Sequence, residues 1–121
     1  MRFMKLEIRT LDNGLRLAKL EGKMDIQGMN QVGEEFGVKI GNSGESTVVD
    51  MSDVSFMASL GMRALITTAR GVSSHGGKMV LLNPQPLVKE ALVTAGINML
   101  VPIYNDFDEA CCVLQAARGS N

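Results

Sequence analysis

One short segment holds most of the residues that could support chemistry. It runs from Asp50 to Gly61 and reads Asp-Met-Ser-Asp-Val-Ser-Phe-Met-Ala-Ser-Leu-Gly. An apolar run precedes it and helical spacing follows it, so Ser59 lies where a helix should begin. A phosphate on Ser59 would add about −1.5 to −2 charges beside free N–H groups of the helix N-terminus, which favour an anion. The segment therefore predicts that the folded domain can accept a phosphate on Ser59 and that its charge acts on partners.

From the residues alone, structural roles stay open for the same side chains. Ser59 could be an N-cap whose hydroxyl accepts a hydrogen bond from the N–H of Gly61 or Met62, which contributes about 1 kcal/mol. Ser52 and Ser55 are interpreted as turn residues that bond their own backbone. We expect Phe56 to anchor the segment in the core, Met57 to face a partner, and Asp25 to cap a helix or to contact a partner.

Other kinds of chemistry have little material in this chain. His75 is the only histidine, and the two cysteines are neighbours, Cys111 and Cys112. A zinc site, or a nucleophile paired with a histidine base, therefore lacks suitable ligands or partners. Three aspartates near the segment could form a carboxylate pair, but no metal-ligand pattern or phosphate-binding loop accompanies them: Asp25, Asp50 and Asp53. We expect no enzymatic activity, no metal and no cofactor.

Composition fits one soluble domain. The chain has 121 residues, of which 45% are hydrophobic and 21% charged, with a net charge of −1. We expect a single domain over residues 1–121 with an ordered core at about 3–117. Twelve basic residues balance thirteen acidic ones and aromatics make up 4%, which disfavours nucleic-acid binding. No apolar run approaches the ~18 residues of a membrane span, so we expect a cytoplasmic protein without membrane insertion.

The elements that position Ser59 follow from periodicity. The predicted order is β-β-α-β-α-β-α-β-α, an α/β fold with a mixed sheet of about five strands and about four helices. Asn13-Gly14 predicts a hairpin that makes the first two strands antiparallel. Thr47–Met51 is predicted as a strand, with Ser52–Ser59 as a loop that leads into the next helix. Loops at the carboxyl ends of strands then hold Asp25, the Ser52–Ser59 loop and Asn83.

The segment from Asp50 to Gly61 resembles the motif of STAS domains, the family that includes bacterial anti-sigma factor antagonists. In that motif a buried strand ends in Asp, and a short loop with an apolar pair leads to a Ser two residues before a Gly at the helix start. The turn Gly22-Lys23-Met24-Asp25 is similar to the family's Gly-x-hydrophobic-Asp turn. The order of strands and helices matches over nearly the whole chain.

The resemblance implies a function and a set of partners. In the antagonists, the serine that matches Ser59 is phosphorylated by an anti-sigma factor that is itself an ATP-dependent serine kinase. It implies a protein-interaction module that binds this kinase and frees a sigma factor, with a phosphatase as a further partner, as a monomer or weak dimer. The implied partner-binding residues are Asp25, Ser52, Asp53, Ser55, Met57, Ala58, Ser59, Leu60, Gly61, Met62, Arg63 and Asn83.

Three positions depart from the antagonist pattern. Ala58 stands where an Asp usually precedes the serine, Leu60 stands where a second small hydroxyl residue is common, and Arg63 replaces a frequent Gly. Arg63 could pair with a phosphate on Ser59. These departures leave an alternative open: a STAS scaffold without phosphorylation, a module that senses a nucleotide or lipid, or a regulatory partner of an anion transporter.

Overall fold

The computed structural model describes residues 4–119, with side chains through residue 117. Five strands and four helices alternate in the predicted order. They are β1 Met4–Thr10, β2 Arg16–Met24, α1 Ile26–Phe36, β3 Thr47–Met57, α2 Ser59–Ser74, β4 Met79–Leu82, α3 Pro86–Thr94, β5 Ile103–Tyr104 and α4 Phe107–Gly119. The strands form one sheet in chain order, with β1 and β2 antiparallel and all other neighbours parallel. The predicted mixed α/β fold is confirmed.

The hairpin between β1 and β2 forms at the predicted dipeptide. Gly14 has φ 85°, a left-handed conformation that glycine adopts without steric cost. The N–H of Leu11 donates to the carbonyl oxygen of Leu15 at 2.7 Å, and the N–H of Leu15 donates to Oδ1 of Asn13 at 3.0 Å. Asn13 and Gly14 therefore close the turn that makes the first two strands neighbours.

Helices cover the two faces of the sheet unequally. The larger apolar core lies between the sheet and helices α1, α2 and α3, with Phe36, Leu65 and Leu92 among its fully buried side chains. A smaller core on the other face packs Ala110 and Leu114 of α4 against strands β3 to β5. Charged side chains occupy the rest of that second face, so it stays in water along β1 and much of β2.

Strand β3 is longer than predicted. The predicted loop at Ser52–Ser59 is wrong, because the strand continues to Met57 beside β2. Relative to β2, β3 contains one extra residue after Asp50 and another after Val54, and these bulges break the alternation of buried side chains. Buried residues consequently recur three apart, at Met51, Val54 and Met57, which concealed the period-two pattern of a strand.

Candidate functional site

Strand β3 turns into helix α2 through a single residue. Met57 pairs with Met24 at the end of β2, and the N–H of the next residue, Ala58, donates to the carbonyl oxygen of Met24 at 3.0 Å. Ser59 is then the first residue of α2. The ends of two adjacent parallel strands therefore fix where Ser59 lies.

Gly61 allows this short connection. A Cβ atom at Gly61 would lie 2.8 Å from both Cβ and the carbonyl oxygen of Met24, and 2.9 Å from Sδ of Met57. Such distances are too short for any side chain, so the first turn of α2 can rest on the end of β2 only where a glycine stands. The predicted partner contact Gly61 is accordingly buried, and its observed role is to let the helix approach the strand.

The N-cap role considered for Ser59 is wrong. The carbonyl oxygen of Ala58 accepts the N–H of Met62 at 3.1 Å, and Ala58 has the extended φ and ψ of −102° and 169°. Ala58 is thus the capping residue, and its methyl group offers no hydrogen bond to the helix. Ser59 is exposed within the first turn, and among the side chains described through residue 117 none hydrogen-bonds to its hydroxyl.

Asp25 caps the neighbouring helix α1. Its Oδ1 accepts a hydrogen bond from the N–H of Gly28 at 2.8 Å, and its carbonyl oxygen accepts the N–H of Met29 at 2.9 Å. The structural role considered for Asp25 is therefore present. Its side chain is only half-buried, and its contact with a partner stays a prediction.

The bulges in β3 reverse the expected burial of two apolar residues, Phe56 and Met57. Phe56, expected in the core, is 48% exposed, whereas Met57, expected at the partner surface, is 8% exposed. Met57 is thus corrected to a core residue. Exposed Phe56 lies opposite Lys23 of β2, whose side chain is on the open face of the sheet, whereas Ile26 begins α1 and Leu60 lies at the start of α2.

We name the exposed side chains Ile26, Phe56 and Leu60 the Ser59 patch. They are 66%, 48% and 38% exposed, and all three belong to segments that meet at the end of β2 and β3. Sequence reasoning included Leu60 but missed the other two. The only signal for Ile26 was a large apolar residue directly after a helix-capping aspartate, and Phe56 was hidden by the bulge.

Arg63 lies four residues after Ser59, so both side chains share one face of α2. Its guanidinium is exposed, and no described carboxylate forms an ion pair with it. Together with Leu60, it lines a groove of about 360 Å³ between α1 and α2. Met62 points the other way and packs half-buried against the core.

Ser52 and Asn83 lie far from Ser59. Strand β4 ends opposite Asp50, so Asn83 lies beside the middle of β3, about 20 Å along the strand from Ser59. There, the N–H and hydroxyl of Ser52 donate to Oδ1 of Asp50 at 3.0 and 2.8 Å, and Nε2 of Gln85 donates to the carbonyl oxygen of Ser52 at 2.9 Å. The extension of β3 therefore divides the predicted partner surface into two regions.

Two further residues of the predicted set lie on the last part of β3. Asp53 pairs with Lys19 across the sheet at 3.1 Å, and this hydrogen bond and the charge of Asp53 raise the pKa of Lys19 above its ordinary value. The hydroxyl of Ser55 lies 3.5 Å from the carbonyl oxygen of Gly22, so neither Ser52 nor Ser55 bonds its own backbone. Both Asp53 and Ser55 remain exposed.

The part of the chain that the structure describes contains neither a cluster of metal ligands nor a helix that could span a membrane. No three side chains of His, Cys, Asp or Glu within residues 4–117 are grouped so that they could hold a metal ion. None of the described helices has the length and apolar character needed to cross a bilayer. Ser59 places an exposed hydroxyl at this end of the sheet.

Known proteins share the length and fold of this chain. The Bordetella bronchiseptica protein BtrV, named as an anti-sigma factor antagonist, is 24% identical over 114 residues, which cover 94% of this chain and 97% of BtrV. The crystal structure of an anti-sigma factor antagonist from Mycobacterium paratuberculosis superposes with a TM-score of 0.81 at 18% identity, over 93% of this chain and 94% of that one.

The antagonist SpoIIAA is similar in fold as well. Its unphosphorylated form gives a TM-score of 0.72 at 19% identity over 97% of this chain and 99% of SpoIIAA. The structure of the phosphorylated form of the Bacillus protein SpoIIAA gives a TM-score of 0.66 at 17% identity, over 90% of this chain and 99% of that one. The STAS domain family model matches residues 7–110. This chain therefore belongs to the STAS domain family.

Proposed function

We propose that this protein is an anti-sigma factor antagonist that binds an anti-sigma factor serine kinase through the Ser59 patch and is released when the kinase phosphorylates Ser59. The observation that carries the proposal is the placement of Ser59. Its exposed hydroxyl stands in the first turn of α2, at a helix start without a side-chain cap. A kinase can reach such a hydroxyl without unfolding the domain.

The surroundings of Ser59 explain how one phosphate could control binding. Ile26, Phe56 and Leu60 present apolar surface that a partner can bury. A phosphate of about −1.5 to −2 charges on Ser59, next to Leu60, would have to lose its water in an interface formed here, or face acidic groups of the partner. Either cost weakens the complex, so the unmodified form binds and the phosphorylated form dissociates.

The domain itself has groups that suit the modified state. The free N–H groups of the first turn of α2 point toward the Ser59 end of the helix and favour a negative charge. Arg63, four residues on, supplies a guanidinium on the same helix face. We propose that both stabilise the phosphorylated domain, so that phosphorylation changes the partner interface and leaves the fold intact.

The comparisons support this role from outside the site. BtrV and the Mycobacterium structure are both named as anti-sigma factor antagonists, and SpoIIAA has been described in phosphorylated and unphosphorylated forms. By this analogy we propose a cytoplasmic binding protein rather than an enzyme. Ala58 and Leu60, which depart from the antagonist motif, would then affect which kinase recognises the segment.

Binding measurements on paired variants test the proposal. Each anti-sigma factor kinase of the native cell is titrated by calorimetry with the unmodified protein, Ser59→Ala and Ser59→Glu. Ser73→Ala and Ser73→Glu serve as controls, because Ser73 is also exposed but lies in the last turn of α2, at the opposite end of the helix from Ser59. We expect Ser59→Ala to retain the affinity and Ser59→Glu to lose about tenfold or more, while both Ser73 variants change little. Equal affinities of the two Ser59 variants for a kinase that binds would refute the switch.

A further inference from the structure

Strand β1 forms an open edge of the sheet, and its free hydrogen-bonding groups can be identified. The bond from the N–H of Leu11 to the carbonyl of Leu15 shows that odd-numbered residues of β1 pair with β2. The N–H and C=O groups of Leu6, Ile8 and Thr10 therefore point away from the sheet. The N–H of Met4, another even-numbered residue, agrees with this alternation, because it points away from β2 and donates to Oε1 of Gln31 at 2.7 Å.

The side chains of β1 are complementary to those of β1 in a second, antiparallel copy of the chain. Glu7 and Arg9 are exposed on the open face of the sheet, while Leu6 and Ile8 are half-buried on the face toward the helices. When an antiparallel second copy is centred on Ile8, each Glu7 stands opposite Arg9 of the other copy. On the other face Ile8 meets Ile8, and Leu6 meets Thr10. Opposite charges and apolar side chains thus face their counterparts at the same time.

We propose that two copies of this chain associate through antiparallel pairing of β1 about Ile8, which extends the five-stranded sheet to ten strands. Three residue pairs in this register can exchange two backbone hydrogen bonds each: Ile8 with Ile8, and Leu6 with Thr10 twice. The contact is symmetric and closes on itself. A single pair of edge strands buries little surface, so the dimer is weak and depends on concentration.

The neighbouring registers are less favourable on this edge. Centring on Glu7 places the two Glu7 carboxylates opposite each other and each Lys5 opposite Arg9, so like charges meet. Centring on Leu6 requires the backbone of Met4, whose N–H is already held by Gln31. Only the register about Ile8 joins free backbone groups and opposite charges.

The dimer leaves the Ser59 patch free. Ile8 pairs with Ala18, and Met24 lies six residues farther along β2, about 20 Å from the two-fold axis. Each dimer would therefore present two Ser59 patches. The inference does not depend on the proposed function, because it rests only on the β1 edge.

Sedimentation equilibrium over a range of protein concentrations tests the dimer with charge variants. Glu7→Arg places an arginine opposite Arg9 of the other copy, and this repulsion should weaken association about tenfold or more. Glu7→Arg combined with Arg9→Glu pairs opposite charges again and should restore association. Glu21→Arg makes the same charge change on β2, away from the edge, and should have little effect. Thr10→Pro removes an outward N–H without removing a β1–β2 bond and should also weaken the dimer.

Each outcome bears on the proposal. A chain that stays monomeric up to millimolar concentration would overturn it, as would a dimer that Glu7→Arg and Glu21→Arg affect equally. Failure of the double variant to restore association would exclude the register about Ile8, because the arginine introduced at position 7 would face Lys5 in a register about Leu6. Circular dichroism on all variants confirms that the compared chains are folded.

Discussion

The N–H of Ala58 and the carbonyl oxygen of Met24 form a hydrogen bond of 3.0 Å that joins the start of α2 to the end of β2. This bond places Ser59 directly over the ends of two parallel strands. The helix start depends on Gly61 for its close approach and has no side-chain cap at Ala58. Substitutions at this junction should therefore change both the stability of the domain and the position of Ser59.

Gly61→Ala should destabilise the protein. The new Cβ would stand 2.8 Å from Met24 and 2.9 Å from Sδ of Met57, so the first turn of α2 must move away from β2. Overpacking of this kind costs about 1–3 kcal/mol of unfolding free energy, measurable by urea denaturation. Because the shift moves Ser59, we also expect weaker binding to an anti-sigma factor.

Gly37→Ala is the matched control. Gly37 has φ −63° and ψ −43°, and a Cβ there would meet nothing within 4 Å. The substitution removes freedom from the unfolded chain and should stabilise the protein by up to about 1 kcal/mol. A similar loss of stability in both variants would show that Gly61 is not packed as described.

Ala58→Asp should stabilise α2 in the unmodified protein. Ala58 already has the extended backbone of an N-cap, so an aspartate there can accept an N–H of the first turn and adds favourable charge. We expect a gain of about 1 kcal/mol and a rise in Tm of several degrees. Thr67→Asp introduces the same charge in the exposed middle of α2 and should not stabilise. No difference between the two variants would contradict the uncapped helix start.

Asp25→Ala should lose the cap of α1. The hydrogen bond from Gly28 to Oδ1 would disappear, at a cost of about 1 kcal/mol, while Asp25→Asn keeps an oxygen acceptor and most of the stability. Chemical denaturation of the two variants measures the difference. If Asp25→Asn binds an anti-sigma factor more weakly at unchanged stability, the carboxylate also contacts the partner, as the sequence predicted.

The two neighbouring cysteines should react differently with a disulfide reagent. Burial, followed by the charge of Asp108, raises the pKa of the Cys111 thiol, whereas Cys112 is exposed. Since the thiolate is the reactive form and must be reached by the reagent, the thiol of Cys112 should react faster than the thiol of Cys111. Cys112→Ser should remove the fast phase; a fast phase that persists in this variant would contradict the burial of Cys111.

The order of elements could be predicted because its signals are local. Asn13-Gly14 marks a turn by its backbone preference, and helical spacing or alternation identifies most other elements. The sequence also predicted that a helix begins near Ser59, which is the first residue of α2. These features depend on a few adjacent residues and need no knowledge of the tertiary structure.

The details of the site could not be predicted, because they depend on pairing between distant strands. Two extra residues in β3 relative to β2 expose Phe56 and bury Met57, and no short pattern reveals this register. The same extension separates Ser52 and Asn83 from Ser59. The cap falls on Ala58 rather than Ser59 because the bond to Met24 fixes where the helix begins, a tertiary contact that overrides the preference of serine for caps.

The proposed phosphorylation switch can be tested by mass spectrometry on the protein isolated with its partners from its native cells. We expect a phosphate on Ser59 in part of the molecules, together with a co-purifying chain that resembles an ATP-binding serine kinase and is associated with the unmodified form. An unmodified Ser59 throughout, with a different stable partner or a retained small molecule, would contradict the switch and favour a scaffold or ligand-sensing role for this domain.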